Sequence, residues 1–377
     1  MTRVPLRIAV LGAGTVGREV VRELLDPDSM ALRTARRLGV EPRLVGVAVR
    51  DLSRAEARGI PEALISDAPA HLVAGETDVV VELLGGEEPA RTLIAASLGA
   101  GKGVVTANKL ALARHGAELE RVARERDSPL RFEAAVMGGT PILRLLANDL
   151  VATRVTAVRG IVNGTTNHIL TEMAISGVAY ETALRAAQAA GFAEADPRAD
   201  VEGGDAADKL VVLARLAFGS WLDRSSVALA VAGGSPGITG VTREDLLAAS
   251  AQGLALRLLA RAQVGTGDTI RAGVGLTAVE AGSAFGRTTG VRNRIEVDAP
   301  PLGTIALEGP GAGGPSTSAA VLADVIAIAS GAGSSWGPLA AASDGGPAAP
   351  IDADGAEAFV GPSGARYPIL SSWSGSS

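Results

Sequence analysis

LRIAVLGAGTVGREVVRELL, residues 6–25, decides how the first half of the chain folds. Residues 6–11 are a short apolar run with β-branched members, which predicts a buried parallel strand. Gly12, Gly14 and Gly17 follow, and REVVRELL then carries helical periodicity. In a strand–turn–helix of this kind the first glycine allows the tight turn. The second lets the backbone approach a pyrophosphate, and the third allows close helix–strand packing. The candidate cofactor-binding set is therefore Gly12, Ala13, Gly14, Thr15, Val16 and Gly17, with the helix N-terminus facing a diphosphate.

Further strands are predicted at residues 44–50 (LVGVAVR), 77–85 (TDVVVELLG), 103–108 (GVVTAN) and 130–136 (LRFEAAV). Helical segments such as PARTLIAASLGAG lie between them. That alternation predicts an α/β class fold with a Rossmann-type, doubly wound parallel sheet. The stretch from Leu25 to Glu41 is long for a connection, so it extends the first helix or adds another. The end of the second strand bears on the choice of dinucleotide. NAD-binding folds place an acid there for the ribose 2′-hydroxyl. This chain offers Arg50 and then Asp51. Arginine can fork onto a 2′-phosphate, so the reading leans to NADP and leaves NAD open.

From about Thr140 strands and helices no longer alternate. PILRLLANDL reads as a connecting helix, TRVTAVRGIVNGT as a strand, and TNHILTEMAIS and ETALRAAQAAGF as helices. Residues 244–264 read as a long helix running into a strand, and TIRAGVGLTAV and NRIEVDA add strands. A second, α+β domain is expected over residues 141–304. Residues 303–329 are strand, glycine turn and helix again, and 305–330 is expected to return to the first domain, residues 1–140. Residues 331–377, rich in Gly, Ser, Ala and Pro, read as a loose tail with one hairpin around Ala358–Ile369.

Composition narrows the function classes. The chain has 377 residues, 47% hydrophobic and 20% charged, enough for two soluble domains. Its net charge of −6, without a Lys/Arg block, disfavours nucleic acid as a partner. No uncharged, predominantly apolar run reaches the roughly 18 residues of a membrane span, and nothing resembles a signal peptide. The chain contains no cysteine, which fits a cytoplasmic protein. It also excludes aldehyde oxidation through a cysteine thiohemiacetal, so aldehyde chemistry must be direct hydride transfer.

GFAEADPRADVEGGDAADKL, residues 191–210, carries the densest chemistry. Six carboxylates and one lysine fall within sixteen residues. Pro197 interrupts any helix through the first half. From about Gly204 the spacing is helical, which puts Asp205 and Lys209 at i and i+4 on one face. A carboxylate beside an ammonium can hold a small zwitterion and move a proton. Asp196, Asp200 and Glu202 also suggest a divalent metal, but the DxDxDG spacing of a calcium loop is absent. They read instead as groups that cap helices and hold the loop.

GAGTVG, VVTANK (104–109), FEAAVMGGTPI (132–142), GIVNGTTNHIL (160–170), the 191–210 block and GPGAGG (309–314) together resemble homoserine dehydrogenase in order and spacing, over roughly residues 6–330. The resemblance implies NAD(P)H-dependent reduction of L-aspartate 4-semialdehyde to L-homoserine, on the route to threonine and methionine. It implies that Glu194, Asp205 and Lys209 bind substrate, and that Lys209 or Lys109 donates the proton. Lys109 ends a predicted strand at its carboxyl edge, where ligands of such sheets bind. The resemblance also places Gly311 at the cofactor. It puts a monovalent cation such as Na+ at Glu133 and the carbonyls of Val136, Gly138 and Thr140. It makes 141–304 a catalytic and dimerisation domain, hence a homodimer.

Three departures from the family pattern stand out. Gly204 replaces a commonly apolar residue, Asp208 directly precedes Lys209, and residues 270–308 differ from the common bacterial pattern. The 47-residue tail is too short for the regulatory ACT domain of many members, so a catalytic unit without threonine feedback through that domain is expected. Gly204 and residues 270–308 keep open a related amino-acid oxidoreductase with a changed substrate. A nucleotide-binding regulator without catalysis is disfavoured, because Lys109, Glu194, Asp205 and Lys209 are all present.

Overall fold

The computed structural model describes residues 4–52, 59–342, 346–351 and 357–370. The chain divides into two compact units, the first comprising Met1–Ala152, Gly219–Trp221 and Ala312–Gly345. Six strands build its sheet: β1 (Val4–Leu11), β2 (Val40–Ala48), β3 (Ile65–Ser66), β4 (Val79–Glu82), β5 (Gly103–Thr106) and β6 (Leu130–Arg131). They pair in parallel in the order β3-β2-β1-β4-β5-β6. Helices α1 (Thr15–Leu25), α2 (Met30–Arg37), α3 (Pro69–Ala74), α4 (Ala90–Gly99) and α5 (Lys109–Glu125) run between or after them.

Both faces of this sheet are covered, which is why its strands read as continuous apolar runs. Ile8, Val10, Val79, Val81 and Val105 pack with Val20, Val21 and Leu24 of α1 and with Val321, Leu322 and Val325 of the helix Gly314–Ala329. Leu11 and Val80 face the other way, with Val73 of α3 and Leu93 of α4. The stretch after Leu25 adds a second helix, α2, capped by Ser29, whose Oγ accepts the Leu32 N–H at 3.2 Å. Strand order reverses between β1 and β4, where an open sheet of this kind forms its ligand crevice.

The strand predicted at 130–136 stops at Arg131. Distant side chains end it. Asp324 accepts from Arg131 Nε and from the Glu133 N–H, each at 2.9 Å. The Glu133 carboxylate then caps α6 (Ile142–Arg144), accepting the N–H groups of Leu143 at 2.9 Å and Arg144 at 2.8 Å.

The second unit comprises Thr153–Phe218, Leu222–Gly311 and Gly346–Ser377. Its strands are β7 (Ala157–Ile161), β8 (Ala228–Leu229), β9 (Val231–Ala232), β10 (Ser235–Pro236), β11 (Leu254–Val264), β12 (Ile270–Glu280), β13 (Arg292–Asp298), β14 (Thr304–Pro310) and β15 (Ala349–Pro350). The main sheet is mixed, in the order β14-β13-β7-β11-β12-β15, with β8 also on β12. Its helices are α7 (Gly164–Ser176), α8 (Tyr180–Ala189), α9 (Arg198–Val201), α10 (Gly204–Phe218), α11 (Arg243–Ala251) and α12 (Ala284–Arg287). Residues Asp205–Leu216 of α10 are all buried, so its polar side chains must find partners inside the protein.

Within 244–264, α11 ends at Ala251, Gly253 reverses the chain at φ +72°, and β11 runs back against β12. β14 lies in this unit because it pairs with β13 along its whole length, so the segment assigned to the first unit starts at Ala312 rather than 305. The described part of the tail is ordered by long-range contacts. β16 (Ala358–Val360) and β17 (Arg366–Pro368) form a hairpin. The buried Asp245 carboxylate accepts Tyr367 OH at 2.7 Å and Ser363 Oγ at 2.6 Å. The remaining tail positions lie outside the described residues.

Candidate active site

In the first unit the glycine turn is tight where backbone must touch backbone and open where a ligand would sit. A Cβ on Gly12, which has φ +103°, would lie 2.6 Å from the Leu83 carbonyl oxygen, and one on Gly17 would lie 1.9 Å from that of Gly12. A Cβ on Gly14 would meet nothing within 4 Å. Gly14 and Thr15 are exposed at the head of α1. The first N–H groups of a helix lack intrahelical partners, so this turn is suited to receive an anion. Arg50 is exposed just beyond β2, at the carboxyl edge of the same sheet.

Lys109 is the first residue of α5. Asn108 caps that helix, accepting the Ala111 N–H at 3.0 Å, and its amide donates to the Gly86 carbonyl at 2.8 Å. The Asn108 N–H reaches Thr106 Oγ at 3.0 Å, and the Thr106 hydroxyl donates to Glu82 at 2.5 Å. The other Glu82 oxygen accepts the Leu84 N–H at 2.8 Å. Glu82 is fully buried, and burial pushes its carboxyl above the usual range against these hydrogen bonds.

Burial, followed by the neighbouring Asp324 carboxylate, pushes the Glu133 carboxyl up to about 7. Met137 and Gly138 are both left-handed, at φ +57° and +54°. Thr140 Oγ is buried without a hydrogen-bond partner among the described residues. A buried oxygen without a donor is a group that a hard cation could satisfy.

In the second unit the predicted i,i+4 pair forms and is buried. Lys209 Nζ donates to Asp205 Oδ2 at 2.6 Å and to the Val162 carbonyl at 2.7 Å. Asn163, the cap of α7, donates from one amide nitrogen to Asp205 at 2.8 Å and to Asp200 at 2.6 Å. Asp208 faces Arg224 at 2.5 Å. Asp196 binds Arg198 at the surface, and the arginine holds its carboxyl down at about 2. Glu194 is exposed in the loop after α8, and its backbone carbonyl is held by the Gln188 amide at 3.0 Å. A Cβ on Gly311 would fall 2.2 Å from Cγ of Asn293, so only glycine fits beside that asparagine.

Asn163, Glu82 and Thr106 were not singled out from the sequence. An asparagine at the start of a helical stretch signals a cap. Nothing local announces that Asn163 also bonds acids 37 and 42 residues away.

The profile described as "Homoserine dehydrogenase, NAD binding domain" matches residues 12–133, and that described as "Homoserine dehydrogenase" matches 141–326. The chain is 39% identical over 326 residues to a homoserine dehydrogenase of Synechocystis, covering 86% of this chain and 73% of that one. It is 40% identical over 330 residues to one of Mycobacterium tuberculosis, covering 86% and 72%. A crystal structure of a homoserine dehydrogenase from Thiobacillus denitrificans superposes with a TM-score of 0.81 at 37% identity, over 88% of this chain and 74% of that one. A hyperthermophilic archaeal homoserine dehydrogenase in complex with NADPH gives 0.69 at 25% identity, over 86% and 97%. With the glycine cradle in one unit and the buried Asp205–Lys209 pair in the other, these matches over both units show that the chain belongs to the homoserine dehydrogenase family.

Proposed function

We propose that the protein interconverts L-aspartate 4-semialdehyde and L-homoserine, using a nicotinamide dinucleotide held at Gly12–Gly17. Bound dinucleotide supplies or accepts the hydride. The observation that carries the reading is the state of Lys209. An ammonium has three N–H groups. Two are engaged, by Asp205 and Val162, which aims the side chain and leaves one for a substrate oxygen. As hydride reaches the aldehyde carbon, the carbonyl π pair moves to oxygen. Lys209 stabilises that charge and transfers its proton to it, giving the hydroxyl. Asp205 orients the ammonium, and Asn163 fixes Asp205. Glu194 receives the substrate ammonium. Lys109, at the carboxyl edge of the dinucleotide sheet, is the second candidate for the proton.

The finer parts of the proposal have separate supports. Arg50 favours NADP through a 2′-phosphate. Glu133, Val136, Gly138 and Thr140 hold a monovalent cation. Gly311, at the cofactor, lies against Asn293. The protein works as a homodimer in the cytoplasm, in threonine and methionine synthesis. The test is purified protein with L-homoserine and NADP+ or NAD+, followed by reduced-nicotinamide absorbance. Reduction of either cofactor is expected, faster with NADP+, and no reduction with both would sink the proposal. An Arg50→Ala variant that keeps its NADP+ preference would refute the cofactor assignment alone.

A further inference from the structure

β4 reads Val79-Val80-Val81-Glu82, three buried valines and then a fully buried acid. Acids are rarely buried unless partnered. Here the partners are neither arginine nor lysine, but the Thr106 hydroxyl, the Asn108 side chain and the N–H groups of Leu84 and Gly85. Glu82 lies in register with Leu11 of β1 and Thr106 of β5, at the carboxyl ends of the three central strands. One oxygen takes the Leu84 N–H and the other takes the Thr106 hydroxyl.

Those two bonds govern two turns. The turn after β4 contains Gly85 and Gly86, both left-handed at φ +71° and +73°. Paired glycines have little intrinsic preference for one shape. The Leu84–Glu82 bond fixes one end of this turn, and the Asn108–Gly86 bond fixes the other. The turn after β5 runs from Thr106 through Asn108 into Lys109. Its Thr106 Oγ accepts from Asn108 and donates to Glu82, so the carboxylate orients the hydroxyl that orients the cap. The same strand end touches the glycine cradle, because the Leu83 carbonyl occupies the space a Gly12 Cβ would need.

We propose that Glu82 is a positioning residue that joins the turns after β4 and β5 and, through Thr106 and Asn108, sets the place of Lys109. The proposal rests on the reading of Lys109 as a residue facing cofactor and substrate. A glutamine at 82 has one acceptor oxygen in place of the carboxylate's two. A valine at 106 keeps the shape and removes the relay.

The test is steady-state kinetics of Glu82→Gln, Thr106→Val, Lys109→Ala and the Glu82→Gln/Lys109→Ala double variant, with Tm measured for each. Glu82→Gln and Thr106→Val are each expected to lower kcat about tenfold or more, with homoserine KM changed about twofold or less. In the Lys109→Ala background, Glu82→Gln should cost about twofold or less, because its effect runs through that lysine. Wild-type kcat in both single variants overturns the proposal, as does a Glu82→Gln loss of equal size with and without Lys109. If Glu82→Gln does not fold, Thr106→Val in both backgrounds carries the same comparison. Near-normal kcat in Lys109→Ala overturns the reading of Lys109 itself, and the positioning role with it.

Discussion

Lys209→Met removes the ammonium and keeps the bulk of the side chain. Asp205 then loses the donor at 2.6 Å, keeps Asn163 at 2.8 Å, and leaves the Val162 carbonyl without its partner. The side chains of Lys209 and Asp205 are only 11% and 8% exposed, so water replaces little of the lost bond. Losing a hydrogen bond to a charged group costs ~1.5–3 kcal/mol, and a stranded carbonyl adds ~1 kcal/mol or more. For a unit of this size Tm falls ~2–4 °C per kcal/mol, so a drop of roughly 5–15 °C is expected. The kinetic effect is separate. Without the proton donor, kcat should fall ~10²–10⁴-fold, or about 2.7–5.4 kcal/mol of barrier, with homoserine KM changing far less. The assay is initial rates at saturating cofactor, well below the variant's Tm, beside Asp205→Asn. That second variant keeps an acceptor for Lys209 and should lose less. Folded Lys209→Met with kcat within about threefold of wild type would refute the donor role and move it to Lys109.

Other expectations follow from single sites. Gly17→Ala should abolish cofactor binding or folding, because its Cβ would lie 1.9 Å from the Gly12 carbonyl oxygen, whereas Gly14→Ala should fold with unchanged Tm and bind NADP+ more weakly; equal behaviour of the two would contradict the geometry. Glu133 has its folded pKa, about 7, above the ordinary 4.5, so its contribution to stability is full below the ordinary value and lost as pH rises through about 7. Denaturant titrations from pH 4.5 to 8 should therefore show a decline that is flatter in Glu133→Gln, and flatter for the wild type in NaCl than in choline chloride if a cation binds there. Tyr367→Phe removes the hydroxyl that donates to buried Asp245 and should cost ~1.5–3 kcal/mol of stability, read by urea unfolding; no change would show that the hairpin is not held there.

Much of the fold is legible in local sequence, and the reason is visible element by element. β1 and the Gly12–Gly17 turn are set by apolar runs, glycine φ and helical period, all of which act over a few residues. The same holds for Asp205 and Lys209, whose meeting follows from 3.6-residue periodicity alone. Where distant groups intervene, local reading fails. LRFEAAV has strand composition, yet Asp324, 193 residues on from Arg131, helps end the strand at Arg131. The tail has weak periodicity, yet Asp245 binds its hairpin across 122 residues.

The class of fold, the glycine turn at Gly12–Gly17 and the acid–lysine pair on α10 can all be read from local patterns in the chain. Tertiary structure alone decided which of the many acids and amides surround them: Asn163 on Asp205, Asp208 on Arg224, and Glu82 beneath the turn that starts α5. The physical reason is range. Propensity and periodicity act between neighbours, whereas a buried polar group takes whatever partner the packed chain brings within hydrogen-bond distance.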